Sequence, residues 1–458
     1  MKLLSCLLAL LAAVLSAASA AWAQDAKTEP LTVDQALEIA FRNNPDLRIA
    51  TDAVNKARGV VEESRARFNP TFNAQIVQMY QGPVVEFVNP MTGTSVPIMP
   101  ASQNSAQISV FLPLDLFGRL RYGHDIATDQ FQISYLSLLA TSQQLIAQVK
   151  RSYYELLRAC GQADAAQAAV NVAAVRLKNT EARYKEGTVP KFDLTTAQVD
   201  LANLNQNLIA AQSRVNIAQA NLNRVLGLPA DTPTQVAKGA IPVEIFEVDI
   251  PKAAKTAVER RPEIKIQQRS IAINKTNIAL QRTAAKPSLG IAGHYDYVST
   301  QAFSTSNTSW VAAATLSIPV WDGGVTKAKV DQAYADLYSA QDTLAQTEQR
   351  ISQEVSNAAL VLVEAAKRTK TTAENVKLAE EALRLANVRY EAGIAVLVEV
   401  TNAESQLTQA RFNEVNALYD YAIALAELQR VTATQPEIDK LCLLDYKPVL
   451  NLTKKAAD

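Results

Sequence analysis

The sequence predicts a mainly α-helical, internally duplicated protein that also carries a membrane β-barrel portion. Three observations predict this fold. The chain repeats itself, each copy has a long proline-free stretch with apolar residues at every seventh position, and two alternating, strand-like segments precede that stretch. Long coiled-coil helical hairpins forming an α-barrel, with four strands per protomer contributing to an oligomeric β-barrel, satisfy all three.

The duplication relates residues 113–227 to positions 206 further along the chain. An earlier block matches at an offset of 217 and places Pro45 on Pro262. The first copy is therefore 11 residues longer, and the insertion lies between residues 71 and 112. Positions of the longer block that are identical in both copies include Pro113, Gly118, Val149, Leu177, Arg183, Tyr184, Gly187, Ala197, Arg224 and Val225. A repeat of this length indicates that the two halves share one architecture.

The predicted domain organisation follows from the repeat. It comprises a signal peptide (1–23), a first structural repeat (24–230), a connecting segment (231–248), a second structural repeat (249–431) and a C-terminal tail (432–458). Lys2, an apolar run and the small residues around Ala21 and Ala23 are typical of a secretory signal. Cys6 suggests lipid attachment only weakly, because too few residues precede it to form an apolar core.

Composition limits the partners and the route across a membrane. The 45 basic side chains balance the 45 acidic ones, which argues against nucleic acid as a partner. Cys160 and Cys442 follow the signal peptide and are too few for a disulfide scaffold; whether they pair stays open. No later segment has the eighteen or more apolar residues that a membrane-spanning helix requires. Any membrane crossing must therefore use strands.

Each copy begins with two helices. Thr32 to Gln35 has the pattern of a capping box, which predicts a short helix that ends near Asn44 and Pro45. A longer helix is predicted from there to about Arg67. The counterparts in the second copy are residues 249–260 and 263–285.

A strand pair follows in each copy. Strands are predicted at about 71–80 and 105–112, and again at about 288–298 and 309–318. Their length of about nine residues suits a tilted strand that crosses a bilayer, and Tyr80 and Trp310 lie near the expected interfaces. On the strands alone, soluble hairpins packed against the helices are an equally good interpretation. Four strands cannot close a barrel, so a membrane barrel would require several copies of the chain.

A long helical hairpin completes each copy, at about 118–227 and 324–431. The first helix of each hairpin is a rod on the order of 100 Å long. Its heptad rows are Val149, Leu156, Ala163, Val170, Leu177 and Tyr184 in the first copy and Val355, Leu362, Thr369, Val376, Leu383 and Tyr390 in the second. These rows are typical of a coiled-coil seam. A second apolar seam begins after each turn, so the hairpin tips are predicted near Gly187 and Gly393.

The chain lacks the residue patterns of an enzyme. Its only histidines, His124 and His294, have no cysteine or carboxylate at metal-ligand spacing. Neither a nucleophile motif nor a phosphate-binding loop is present in the sequence. We therefore expect no catalytic residue, no metal and no cofactor.

Two motifs carry a resemblance to a known family. Each copy has a turn of the form Arg-Tyr-x-x-Gly, at 183–187 and 389–393, and an acid six residues after the glycine, Asp193 or Glu399. Together with the strand pair and long helix of each copy, these motifs resemble the TolC-type outer-membrane efflux proteins. The resemblance covers residues 31 to about 431, and the order, spacing and duplication of the elements carry it.

The resemblance implies a homotrimer with a twelve-stranded barrel in the outer membrane of a Gram-negative-type bacterium and a large periplasmic part. The implied partners are outer-membrane lipid, a periplasmic adaptor (membrane fusion) protein and an inner-membrane pump or ABC transporter. The implied function is a passive exit duct of a tripartite efflux or type I secretion system, for drugs, metals, other small molecules or proteins. The alternative from another class is a soluble periplasmic coiled-coil scaffold without transport activity, which explains the heptads but not the aromatic strands.

The same resemblance implies a gate at the periplasmic entrance. Tyr390 corresponds to the family's lock tyrosine, and Asp193 to the tyrosine's partner. Glu399 and Asn402 correspond to a ring of acids, so one carboxylate has become an amide in this chain. Ala395 stands where better-known members have an arginine, and that part of the lock is absent or rebuilt. As an alternative, Asp193 and Glu399 serve only as helix caps.

The tips supply the remaining candidates. Tyr184 is the first-copy equivalent of Tyr390 and a further gate candidate, although both tyrosines also continue the heptad rows and suit plain seam packing. In the resembled family the tip meets the adaptor, which makes Gly187, Thr188, Gly393 and Ile394 the candidate contacts. The two glycines are also simple helix stops.

Overall fold

The computed structural model describes residues 30–99, 101–239, 241–244, 248–299 and 306–437. The expected signal peptide, Cys442 and most of the expected C-terminal tail lie outside these residues. The helices are α1 (Val33–Asn43), α2 (Pro45–Ala66), α3 (Arg119–Lys185), α4 (Lys191–Leu226), α5 (Ile250–Arg260), α6 (Pro262–Arg282), α7 (Val325–Glu391) and α8 (Leu397–Val431). The strands are β1 (Thr71–Tyr80), β2 (Val85–Val88), β3 (Ser95–Met99), β4 (Ser102–Leu114), β5 (Ser288–Val298) and β6 (Thr308–Ser317).

The element order repeats. Each half runs through two helices, a strand pair, a helix of 67 residues and a helix of 36 or 35 residues. The prediction of a mainly helical, duplicated chain with four principal strands is therefore confirmed. The first half adds the antiparallel β2–β3 hairpin, which lies within the expected insertion and was predicted only as a connection. Within the described residues, no helix contains a stretch both long and apolar enough to span a membrane.

The capping box predicted at the start of α1 is confirmed. The Gln35 backbone N–H donates to the Thr32 hydroxyl over 3.3 Å, and the Thr32 backbone N–H donates to the Gln35 side-chain oxygen over 2.9 Å. The helix ends before Asn44, whose backbone is extended. Pro45 explains this stop, because the residue before a proline is disfavoured in the helical region.

Four strands form one antiparallel sheet in the order β1-β4-β5-β6. Strand β4 of the first half pairs with β5 of the second, with Gln107 opposite Asp296, so the two copies meet in the middle of the sheet. Strands β1 and β6 lie at its two edges. Because side chains alternate between faces along a strand, this register assigns every residue of the four strands to one of two faces.

The chain folds into two compact units. Among the described residues, the first comprises 30–44, those within 145–244, and 360–428. Its fully buried large side chains are Leu37, Ile146, Val149, Leu156, Leu222, Leu226, Leu362 and Tyr421. Several of these are the predicted seam positions. The Tyr153 hydroxyl lies 2.9 Å from the carbonyl oxygens of both Leu31 and Ala237, which ties the segments around α1 to α3.

Among the described residues, the second unit comprises those within 45–144 and 248–359, together with 429–437. One apolar cluster is formed by Val54, Ala57, Phe131 and Leu138, and another by Ile278, Ala333 and Leu337. The Arg261 side chain is only 2% exposed and pairs with Glu263 at 2.6 Å and Glu354 at 2.5 Å. Burial alone would raise the pKa of Glu263, but the hydrogen bonds and charge of Arg261 outweigh it and hold that pKa below its usual range.

Candidate functional site

The two hairpin tips are built alike. Gly187 and Gly393 have φ values of 74° and 71°, a left-handed conformation that glycine adopts without a steric cost. In the first tip, the Gly187 N–H donates to the Tyr184 carbonyl and the Thr188 N–H donates to the Arg183 carbonyl, each over 3.0 Å. This pair of bonds is the Schellman arrangement that ends a helix.

The second tip makes the equivalent bonds. The Gly393 N–H donates to the Tyr390 carbonyl over 3.1 Å, and the Ile394 N–H donates to the Arg389 carbonyl over 2.9 Å. Each Arg-Tyr-x-x-Gly motif thus supplies both carbonyl acceptors and the left-handed glycine of its turn. The motif therefore ends the first helix of each hairpin and reverses the direction of the chain.

The candidate contact residues at the tips are exposed. Ile394 is 73% exposed, and nothing lies within 4 Å of a Cβ placed on either tip glycine. The Thr188 hydroxyl donates to the Arg183 carbonyl over 2.9 Å, so it helps to close the turn. Sequence reasoning missed two exposed apolar neighbours, Phe192 and Val396, although both are apolar residues directly beside the predicted turns.

Among the gate candidates, the structure brings Tyr390 against Arg183. The guanidinium carbon lies 5.5 Å from the centre of the Tyr390 ring, so a residue of the first hairpin stacks on one of the second. No hydrogen bond joins Tyr390 to Asp193 in the described part of the chain. Tyr184, the equivalent of Tyr390, is 39% exposed. The equivalent tyrosines therefore have different surroundings.

The two acids also have different surroundings. Each is the third residue of its helix, Asp193 in α4 and Glu399 in α8. Glu399 pairs with Arg389 at 3.0 Å, and both side chains are about half exposed, at 42% and 55%. Asp193 has no ion pair among the described residues. Asn402 is exposed on α8, three residues after Glu399. The Arg389–Glu399 pair, which spans the turn, was missed by the sequence reasoning.

A charged cluster lies further from the tips. Arg176 of α3 bonds Glu404 of α8 through Nη1 and Asp200 of α4 through Nη2, the latter at 3.2 Å. The side chains of Arg176 and Glu404 are only 11% and 16% exposed, and that of Asp200 is 31% exposed. Burial raises the pKa of Glu404; the positive charge of Arg176 opposes this rise, and the negative charge of Asp200 adds to it.

The four-stranded sheet has one apolar face. Its register places Phe72, Ile76, Ile108, Tyr295, Tyr297 and Trp310 on the same side. All six are exposed, and Phe72, Ile76 and Trp310 are more than 70% exposed. On the other side, the Gln107 amide donates to the Asp296 carboxylate over 2.8 Å, and Asp296 lies 3.2 Å from His294. The sheet thus presents its most exposed large apolar side chains in one direction and a mixture of polar side chains and apolar ones, such as Phe111 and Val311, in the other.

Within the part of the chain that the structure describes, no three histidine, cysteine or acidic side chains converge as metal ligands would. His124 instead lies 2.8 Å from the Ser64 hydroxyl.

The comparisons with known proteins agree with this architecture. The model of the family described as "Outer membrane efflux protein" matches twice, over residues 36–228 and 253–434. The outer membrane protein TolC of Vibrio cholerae is 24% identical over 332 residues, covering 69% of this chain and 73% of that protein. The outer membrane protein OprJ of Pseudomonas aeruginosa is 24% identical over 405 residues, covering 86% and 82%.

A solved structure shows the same fold. The CmeC outer membrane channel of Campylobacter jejuni superposes with a TM-score of 0.77 at 16% identity, covering 87% of this chain and 85% of that one. One family match lies in the first half of the chain and the other in the second half. The chain belongs to the outer membrane efflux protein family; it is an outer-membrane efflux protein and not an enzyme.

Proposed function

We propose that three copies of this chain form a passive exit duct of a tripartite efflux or type I secretion system. The duct would receive substrates from an inner-membrane pump and a periplasmic adaptor and conduct them across the periplasm and outer membrane. In this proposal the repeats 24–230 and 249–431 each supply two barrel strands and one helical hairpin, after removal of the signal peptide 1–23.

The four-stranded sheet is the observation that carries the proposal. One of its faces is apolar and exposed, as lipid contact requires, and its outer strands β1 and β6 each have an edge unpaired by any described strand. Backbone N–H and C=O groups without hydrogen-bond partners are costly in lipid, so each edge strand must pair with another strand. Joining β1 of one copy to β6 of the next supplies these partners, and a ring of three copies has twelve strands.

The hairpin tips support the proposed entrance. Glu399 is half exposed beside the turn, where three symmetry-related carboxylates would favour cations at a narrow opening. Asn402, Asp193, Tyr390 and Tyr184 remain the other proposed gate residues. The exposed tip residues Gly187, Thr188, Gly393 and Ile394 are the proposed contacts with the adaptor.

The soluble periplasmic scaffold is the competing function. A scaffold would explain the helical hairpins, but it would leave the large apolar side chains of the sheet exposed to water. Exposed apolar patches of this kind mark a membrane or protein contact, and the family assignment favours the membrane.

The deciding experiment is the native mass of the mature protein after membrane fractionation and extraction in mild detergent. We expect a three-chain species in the outer-membrane fraction. A deletion strain should then be tested for sensitivity to drugs and metals and for loss of secreted protein. Recovery of a monomer or dimer from the periplasm without detergent would contradict the duct and leave the scaffold.

A further inference from the structure

The charged cluster around Arg176 joins the two hairpins of the first unit. Arg176 and Asp200 belong to the first hairpin, whereas Glu404 belongs to the second. Two carboxylates thus share one guanidinium, and the cluster has one excess negative charge when both are ionised. The Arg176 Nε is buried without a hydrogen-bond partner. A buried polar cluster that is incompletely paired stabilises its surroundings poorly.

The duplication makes this cluster conspicuous. The same offset of 206 that aligns the tips places Arg176 on Ala382, Asp200 on Gln406 and Gln198 on Glu404. All three charges are therefore absent from the equivalent positions of the other copy. Ala382, Gln406 and Gln198 are all exposed, so the copies differ here in burial as well as in charge. The helical hairpin itself does not require these charges, since each hairpin forms with an uncharged residue at one or more of the positions.

A cavity of about 390 Å³ lies beside the cluster. Its lining includes Arg176, Asp200 and Glu404 together with amide and hydroxyl side chains of α4 and α8. Arg411 of α8 lines the same cavity, and its guanidinium pairs with the carboxylate of Glu380 of α7 at 3.1 Å. A cavity of this size that is lined in part by polar side chains admits water beside the cluster.

We propose that Glu404 is a proton-sensitive switch between the hairpins: protonated, it holds α8 against α3 and α4, and ionised, it loosens that junction. The inference rests on the proposed function only in placing the junction near the entrance of a duct. Protonation removes the excess negative charge and leaves a neutral Arg176–Asp200 pair. Ionisation restores a carboxylate that is mostly removed from water and faces a second carboxylate across the junction.

The direction of the pH effect follows from linkage. Burial raises the pKa of Glu404 while the hairpins are joined, and separation would return the side chain to water and its pKa to the ordinary range of a glutamate. The joined arrangement therefore binds the proton more tightly than the separated one. The free energy by which this proton stabilises the joined arrangement is fully present at pH values below the ordinary pKa of Glu404. It is lost as the pH rises through the raised pKa that Glu404 has in the joined arrangement.

The test is hydrogen–deuterium exchange of the full-length protein in mild detergent, read by mass spectrometry over residues 170–180 and 401–412. Rates are measured from about pH 5 to about pH 8 and corrected for the intrinsic pH dependence of amide exchange. Glu404→Gln mimics the protonated acid and introduces the residue that the first copy already has at Gln198. Glu414→Gln, ten residues further along α8, is the matched control. Exchange is measured without any transport, so its outcome does not depend on whether the protein is a duct.

At neutral pH we expect several-fold slower exchange in Glu404→Gln than in the wild type, with Glu414→Gln unchanged. Lowering the pH should bring the wild type to the rate of Glu404→Gln. Asp200→Asn removes the repelling carboxylate, so its transition should occur at a lower pH than that of the wild type. Equal or faster exchange in Glu404→Gln, or wild-type protection that does not change with pH, would overturn the proposal. If the wild-type protein shows this exchange pattern but its deletion changes neither drug or metal sensitivity nor secretion, the switch stands and the duct is contradicted.

Discussion

At the scale of single residues, the charge of Glu399 is the property with the clearest consequence. Its carboxylate is half exposed and paired with Arg389 across the turn. Such exposed pairs are worth about 1 kcal/mol or less, so Arg389 only partly offsets the negative charge. A cation at the tip therefore competes with Arg389 for this carboxylate.

We predict that Glu399→Gln weakens block by multivalent cations in single-channel recordings and that Arg389→Gln strengthens it, each by up to about fivefold in the blocking concentration. Glu374→Gln, an exposed acid of α7, is the control and should leave the block unchanged. Unchanged block in Glu399→Gln would remove this residue from the entrance.

The stacking of Arg183 on Tyr390 leads to a second prediction. If the ring holds the hairpins together, then Tyr390→Phe keeps the contact with Arg183. Tyr390→Ala and Arg183→Ala should each remove about 0.5–1 kcal/mol of interaction free energy between the hairpins. Both of these variants should therefore raise the single-channel conductance. If the hydroxyl is the lock instead, then Tyr390→Phe will behave like Tyr390→Ala.

Sequence reasoning reached the residues of the turns but not their partners. The Arg-Tyr-x-x-Gly motif is local, so its glycines and carbonyl acceptors follow from the rules for helix termini. Arg183 meets Tyr390 only because two distant hairpins pack together, and no local pattern encodes that contact. The Arg176 cluster had a visible signal, since the three charges break the repeat. This difference is visible only when the positions at which the two copies differ are compared as well as the positions at which they are identical.

At the scale of elements, two helix ends with the same backbone conformation are packed differently. Gly187 ends α3 and Gly227 ends α4, with nearly the same φ of 74° and 73°. Their surroundings differ, because a Cβ on Gly227 would lie 2.6 Å from the Asn43 carbonyl oxygen, whereas nothing lies within 4 Å of a Cβ on Gly187. The end of α4 thus packs directly against the end of α1.

We predict that Gly187→Ala costs about 1 kcal/mol through backbone strain alone. Gly227→Ala should cost about 2–4 kcal/mol, because a clash with backbone adds to the same strain. Thermal unfolding of the two variants in detergent tests this difference. Similar melting temperatures would show that the α1–α4 contact yields easily to a methyl group.

Long helices were the most predictable elements, because prolines bound them and heptads run through them. The strand pairs were predictable from alternation, and the four expected segments correspond to β1, β4, β5 and β6. The β2–β3 hairpin was not, because its strands have only four and five residues and Pro97 interrupts the second. Prolines are rare inside strands, so the segment was predicted as a connection.

At the scale of the whole molecule, membrane insertion depends on which face of the sheet each residue occupies. Ile76 and Gln75 are neighbours near the middle of β1, and their cross-strand partners are Ala106 and Gln107. Ile76 is 85% exposed on the apolar face, whereas Gln75 lies on the polar face with Gln107. One strand position therefore separates a lipid-facing site from one that faces the interior of the proposed barrel.

We predict that Ile76→Arg costs about 2–4 kcal/mol on insertion, as arginine does at the midplane of a membrane barrel, and lowers the amount of protein in the outer-membrane fraction. Gln75→Arg introduces the same side chain one position away and should insert normally, because the polar face meets water. Measuring both variants by membrane fractionation at matched expression separates the effect of the face from the effect of the charge. Equal recovery of the two variants would mean that the apolar face does not meet lipid, and the exposed aromatic side chains of the sheet would then need a protein partner.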